Sequence, residues 1–155
     1  MKNNQISTSA AIVLKEQGSK KLYLVVKQAD GTDWELPKVT VRKGESSVRA
    51  VIRMTSEQAG MNARVLDEAF RVNTTTVMNG KSIPQRIYYY LMLLRSVTEI
   101  YGFSEHKWVE LPKAKTMLPL KREKDAVEAA REALKIWEKT RKLEEKEEEE
   151  QPIEF

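Results

Sequence analysis

Residues able to do chemistry crowd into a short stretch, Lys38 to Gln58, where a basic loop meets an amphipathic segment. Positions 54, 57 and 58 stand three and four residues apart, the spacing that sets side chains on one face of a helix. That face carries Met54, Glu57 and Gln58: one carboxylate, one amide oxygen and one thioether. A hard divalent cation is held by several oxygen ligands, and a thioether does not suit it. The chain has no cysteine and one histidine, which excludes disulfides, thiolate ligands, a Cys nucleophile and a His-rich metal site. His106, alone in a turn before a strand, reads as a surface or hydrogen-bonded residue rather than a base.

The elements that must position this stretch are legible from periodicity. Ser9 to Lys15 and Leu22 to Gln28 are β-type runs joined across Gly18 and predict a hairpin. Asp30-Gly31 and Lys43-Gly44 mark turns around a short extended piece. Ser46 or Ser47 can cap a helix that Gly60 stops, with Val48, Val51, Ile52, Thr55 and Ala59 predicted on its buried face. Asn62 to Thr75 and Ser82 to Leu94 predict the two longest strands around Asn79-Gly80, a dipeptide suited to positive φ at both central positions of a tight turn. Trp108 to Leu111 reads as a short strand and Pro112 as the start of a short helical turn. From about Glu123 to Lys142 a long helix carries the stripe Val127, Ala130, Leu134 and Trp137.

Residues 36–61 have the spacing of a known motif. Glu45, Arg53, Glu57, Gly60 and the apolar Met61 fall on the pattern G-x5-E-x7-R-E-U-x-E-E-x-G-U. The segment resembles the Nudix box, and Trp34-Glu35-Leu36-Pro37-Lys38 is similar to the lead-in of the diadenosine tetraphosphate hydrolase branch of that superfamily. The likeness spans roughly residues 8–140. It implies a Nudix-type α/β/α sandwich with a mixed central sheet, a box helix on one side and a long C-terminal helix. The box is degenerate: Val39 stands for the first glycine, Met54 for the first metal-site glutamate, Gln58 for the last, and Thr55 for an aliphatic residue.

The resemblance also assigns roles. The family's box arginine pairs with the glutamate of its Gly-Glu loop, so Arg53, Glu45, Gly44 and Gly60 are expected to be structural. Glu57 and Glu45 are the catalytic candidates if hydrolysis survives, and Glu57 and Gln58 the weak metal ligands. Asp67, Glu68 or Glu105 are carboxylates that could rebuild a partial site. Mg²⁺ or Mn²⁺ is the implied cofactor, here weakly held or absent. Lys38, Arg42 and Lys43 are expected near substrate phosphates, Arg86 on a strand crossing the pocket, and Trp34 and Tyr90 as candidates to stack on a base, with core packing the competing use. Alternation sends Tyr88 and Tyr90 to one sheet face and Tyr89 to the other.

Composition sets the remaining bounds. The chain has 155 residues, 41% hydrophobic and 32% charged, the size and profile of a single globular domain. The net charge of +4 conceals an asymmetry: residues 143–155 hold seven glutamates against Lys146, a net −6, so the preceding body carries +10. Residues 1–142 therefore read as the domain and 143–155 as a solvated acidic tail. A basic body attracts polyanions, nucleotide or nucleic acid alike. No apolar run reaches the ~20 residues of a membrane span, and the polar Met1 to Ser9 offers no secretory signal, which suits a cytoplasmic protein. The leading expectation is a binder of a nucleoside polyphosphate or related polyanion with hydrolysis weak or lost. An active Mg²⁺-dependent hydrolase of diadenosine polyphosphates and an RNA- or ribosome-associated scaffold are the alternatives.

Overall fold

A computed structural model of the chain describes residues 5–97 and 99–150. The first four residues of Met1 to Ser9 and residues 151–155 of the expected tail lie outside the described residues. Strands β1 (Ile6–Gln17) and β2 (Lys20–Lys27) form the expected hairpin, longer than its apolar runs because the polar ends continue the ladder to Gln17↔Lys20. After β3 (Lys38–Thr40) comes α1 (Ser47–Arg53), continued by a π-helical turn over Met54–Gln58. The long pair β4 (Met61–Met78) and β5 (Lys81–Val97) follows, then β6 (Glu105–Val109), α2 (Leu111–Met117) and α3 (Lys121–Glu150).

The sheet runs β4-β5-β1-β2-β6, with β3 also paired to β1. It is mixed: β1 pairs β5 in parallel, and every other strand pairing is antiparallel. Strand β1 shows why two layers are needed. Its apolar run is buried on both sides, Ala10, Ile12 and Leu14 toward α2 and α3, and Ala11 and Val13 toward α1. Tyr89 likewise joins the α3 side while Tyr88 and Tyr90 join the α1 side, as alternation requires. Asn79 and Gly80 turn the long hairpin with φ of 53° and 75°.

Two expectations need correction. The buried face of the box helix is Ala50, Val51, Met54, Thr55 and Ala59, while Val48 and Ile52 face solvent. Val48 and Ile52 lie within the regular α1, whose buried side is the one carrying Ala50, Val51 and Met54; only beyond it does the helix widen, where Ala59 N–H donates to Met54 O, five residues back, at 3.0 Å. Hydroxyls promote this opening, since Thr55 Oγ1 donates to Val51 O and Ser56 Oγ to Ile52 O. The second correction is α3, which starts two residues before Glu123 and runs eight past Lys142, to Glu150. Lys and Glu have high helix propensity, and Arg141 Nε stands 3.3 Å from Glu145 Oε1 at i,i+4. Its last ten residues are all exposed. No helix among the described residues is long and apolar enough to cross a membrane.

Candidate functional site

The loop before α1 is built around Glu45. Gly44, with φ of 81°, turns the chain so that the carboxylate faces back over its own loop. Glu45 Oε2 accepts from Arg53 Nε at 2.8 Å, and Oε1 accepts from Arg53 Nη2 at 2.9 Å and from the Arg42 backbone N–H at 3.0 Å. Arg53 Nη2 donates further to Thr40 O at 3.2 Å, so one guanidinium ties β3, the loop and α1 together. The Arg53 hydrogen bonds, then the Arg42 N–H, hold the Glu45 carboxyl down at about 2. At the helix end, Gly60 has φ of 71°, and a Cβ there would stand 2.5 Å from Tyr101 Cε1. Of the four residues expected to be structural, Gly44 and Glu45 thus stand just before α1, Arg53 at the junction of α1 with its π-helical continuation, and Gly60 just past the end of that continuation.

The end of that helix is different in kind. Met54 is 2% exposed and packs among Val13, Leu24, Val51, Met61 and Met92 under the sheet. Glu57 and Gln58 are exposed on the outside, so the face expected to gather 54, 57 and 58 is split between core and solvent. Glu57 lines a cleft of about 420 Å³ with Glu45, Arg49, Ile52, Arg53 and Ser56. Glu45 is already claimed by three donors, and among the described residues no group of three or more His, Cys, Asp or Glu stands ready to hold a metal ion. This donor set does not fit a hard divalent cation, which takes several oxygens.

The cations expected near phosphate are divided between the two faces. Arg42 and Lys43 are exposed on the loop, and Arg49, which the sequence reading missed, lies in the cleft. Lys38 points to the α3 side. Its ammonium donates to Glu123 Oε1 at 2.7 Å and to Leu36 O at 3.0 Å. Glu123 is fully buried and also accepts from Leu36 N–H and from the Tyr89 hydroxyl. Burial, then the neighbouring Glu123 carboxylate, pushes the Tyr89 phenol far up, so it stays a donor. Glu123 was detectable in principle: it extends the stripe Val127, Ala130, Leu134 by one step, a charge on a buried face.

The aromatic candidates are occupied by protein. Trp34 packs on the α3-side core, with Lys27 Nζ 4.9 Å and Lys107 Nζ 5.4 Å from its ring centroid. Tyr90 is buried, and its hydroxyl hydrogen-bonds Ser47 Oγ at the start of α1. Arg86 Nε donates to Asn73 Oδ1 across the long hairpin at 3.0 Å. Of the reserve carboxylates, Glu68 is paired with Arg71 at 2.8 Å and Glu105 with Lys27 at 3.1 Å, while Asp67 is exposed at an irregularity of β4. His106 is exposed on β6.

Comparison with known proteins is consistent with this geometry. The NUDIX domain family model matches residues 5–134. Among solved structures, an Ap4A hydrolase from C. elegans in a binary complex superposes with a TM-score of 0.70 at 19% identity, covering 83% of this chain and 97% of that one. The dihydroneopterin triphosphate pyrophosphohydrolase of E. coli gives 0.63 at 15% identity, covering 79% and 92%. The NUDIX domain of Shewanella oneidensis NrtR, complexed with ADP ribose, gives 0.61 at 21%, covering 84% and 88%. No curated protein matches the chain.

Proposed function

This chain belongs to the NUDIX domain family, and from that premise we propose that it binds a nucleoside polyphosphate through protein cations and has lost metal-dependent pyrophosphate hydrolysis, as a pseudoenzyme does. One observation carries the reading: Met54 is sunk in the apolar core at the position where the family's box has its first metal-site glutamate. Gln58 adds a neutral oxygen, leaving Glu57 the lone carboxylate of the three positions. Metal ions in phosphoryl-type transfer neutralise charge on the transferring oxygens and activate water. Each ~1.4 kcal/mol of lost stabilisation is a tenfold loss in rate, so removing that contribution removes useful turnover.

Ligand binding asks less of the site. Arg49 lines the cleft, Arg42 and Lys43 stand exposed on the loop that leads to Glu45 at its edge, and Arg suits the planar geometry of phosphate oxygens. The body's positive balance draws anions to this face as to the rest. Ligands of the structural relatives, Ap4A hydrolase and an ADP-ribose complex, support a ligand with phosphoanhydride-linked phosphates.

The test is calorimetric titration with ADP-ribose, ATP and diadenosine tetraphosphate, with Mg²⁺ or with chelator, beside an assay for released phosphate products. Binding is expected to survive chelation, to weaken at least tenfold in Arg42→Glu/Arg49→Glu, and to proceed without product. Metal-dependent turnover that Glu57→Gln abolishes would overturn the loss of hydrolysis. Tight, steeply salt-dependent RNA binding that nucleotides do not compete would replace the nucleotide reading with the scaffold one.

A further inference from the structure

Strand β4 is the outer strand of the sheet, paired only with β5 among the described residues. Its other edge is a row of N–H and C=O groups open to any strand that lies beside it. Soluble proteins blunt such edges with charges, bulges and prolines, and this chain does so along part of its length. From Met61 to Arg71 the edge carries Arg64, Asp67, Glu68 and Arg71, and three register shifts fall between Asn62 and Phe70. On β5 the stretch 81–84, which lies beyond its pairing with β1, contains Pro84.

The remaining stretch of β4 has none of these devices. Val72-Asn73-Thr74-Thr75-Thr76-Val77-Met78 is uncharged, free of proline and in unbroken register with β5. It is rich in β-branched residues, which suit a strand. The four pairs from Thr75↔Pro84 to Met78↔Lys81 project beyond the start of β1, a hairpin arm roughly 13 Å long at strand rise. Two large apolar side chains at its end, Val77 and Met78, are 72% and 47% exposed.

We propose that residues 72–78 are a homodimer edge, on which β4 pairs antiparallel with β4 of a second copy about a two-fold axis at Thr75. A second copy is the occupant because the strand complements itself. A two-fold axis normal to the sheet keeps each face on its own side, so opposed residues share a face and their numbers sum to an even total. With Thr75 on the axis, Thr75 meets Thr75, Thr74 meets Thr76, Val72 meets the exposed Met78, and Asn73 meets Val77, the one polar–apolar pair of the seven residues. Thr–Thr and apolar pairs are favourable cross-strand neighbours. No charge opposes a like charge within the seven residues, although the two bodies brought together are both strongly basic. Farther along β4 the register shifts interrupt a straight ladder, which confines the contact to the arm.

Light scattering on the size-separated full chain reads the mass directly, and twice the monomer mass is expected. Thr75→Lys sets two ammonium groups against each other on the axis and is expected to halve that mass while circular dichroism and thermal unfolding stay those of a folded domain. The chain has no cysteine, so Thr75→Cys introduces a unique thiol. Opposed strand residues stand within disulfide reach, and mild oxidation is expected to cross-link Thr75→Cys but not Ser82→Cys on β5. The cysteine pair decides the matter even if the lysine variant does not fold. A wild-type chain that is monomeric at every concentration, a dimer unchanged by Thr75→Lys, or equal cross-linking of both cysteine variants would overturn the proposal.

Discussion

Glu45 and Glu123 each gather three hydrogen-bond donors and fix a loop, yet they do so in opposite surroundings. Glu45 stands at the rim of the α1 face, 15% exposed, and shares a bidentate pair with Arg53. Glu123 is 0% exposed on the α3 face, where Lys38, the Leu36 N–H and the Tyr89 hydroxyl surround it. Between them they anchor the two ends of residues 36–45, the segment that leads into the cleft. Both carboxylates are thus spent on placing backbone, and the contrast lies in how much each one's removal exposes. A carboxylate at the rim leaves its partners to water, whereas a buried one strands them.

Breaking the buried hub is expected to have the largest effect. Glu123→Ala leaves the Leu36 N–H and Tyr89 hydroxyl without an acceptor and Lys38 without its counter-charge, a loss of about 3–5 kcal/mol by urea unfolding, toward the lower end because Lys38 reaches some solvent. Glu123→Gln keeps an acceptor and should lose visibly less. Equal losses in the two variants would mean that packing, not hydrogen bonding, sets the value of this position.

Met54→Glu comes next, and it separates core from metal site. A carboxyl placed among Val13, Leu24 and Met92 is desolvated without a partner, so its folded pKa rises above the unfolded value of about 4.3. Stability is then expected to fall as pH rises past that value, by about 3 kcal/mol at neutral pH, roughly two pKa units of penalty at ~1.4 kcal/mol each. Mg²⁺ should not restore it, even with Gln58→Glu added. A rise in melting temperature on adding Mg²⁺ to the double variant would reveal a latent seat for the ion.

Glu45 should show the opposite pH sign with a smaller effect. Its folded pKa, about 2, lies below the ordinary 4.5, so the stability it contributes is complete above 4.5 and drains away as pH falls toward 2. The gap between wild type and Glu45→Gln is expected to be widest near neutrality and to narrow on acidification below pH 4.5. Hydrogen exchange at the Arg42 amide should quicken in the variant, because that N–H loses a charged acceptor. An acid-independent gap would show that Arg53 and Glu45 matter through shape alone.

The sequence made the α1 face easier to read than the α3 face for a physical reason. Glu45, Arg53 and Gly60 act within one local segment, so a motif of fixed spacing can mark them and its family resemblance can assign their roles, and the hairpin at Asn79-Gly80 is likewise local. Glu123 and Lys38 meet across 85 residues, and no local pattern records such a meeting. Regular helical spacing puts 54, 57 and 58 on one face, whereas the hydroxyls of Thr55 and Ser56 accompany a wider turn that such spacing does not describe. Trp34 shows a further limit: its type suits stacking, but Lys27 and Lys107, 7 and 73 residues away along the chain, decide what stacks there.

The smallest expected effect concerns neither carboxylate but the run of them beyond Leu143. Residues 141–150 are exposed along the helix, so deleting 143–155 removes little buried surface among the described residues and should change stability within about 0.5 kcal/mol, the range of ordinary surface changes. The deletion takes away a net −6, however, and leaves the body at +10. Nucleotide affinity should therefore rise modestly at low salt and match that of the full chain at high salt, where screening shortens the field. A salt-independent gain would instead mean that the glutamates touch the cleft directly, which would make the tail a competitor for Arg42, Lys43 and Arg49 rather than a distant charge.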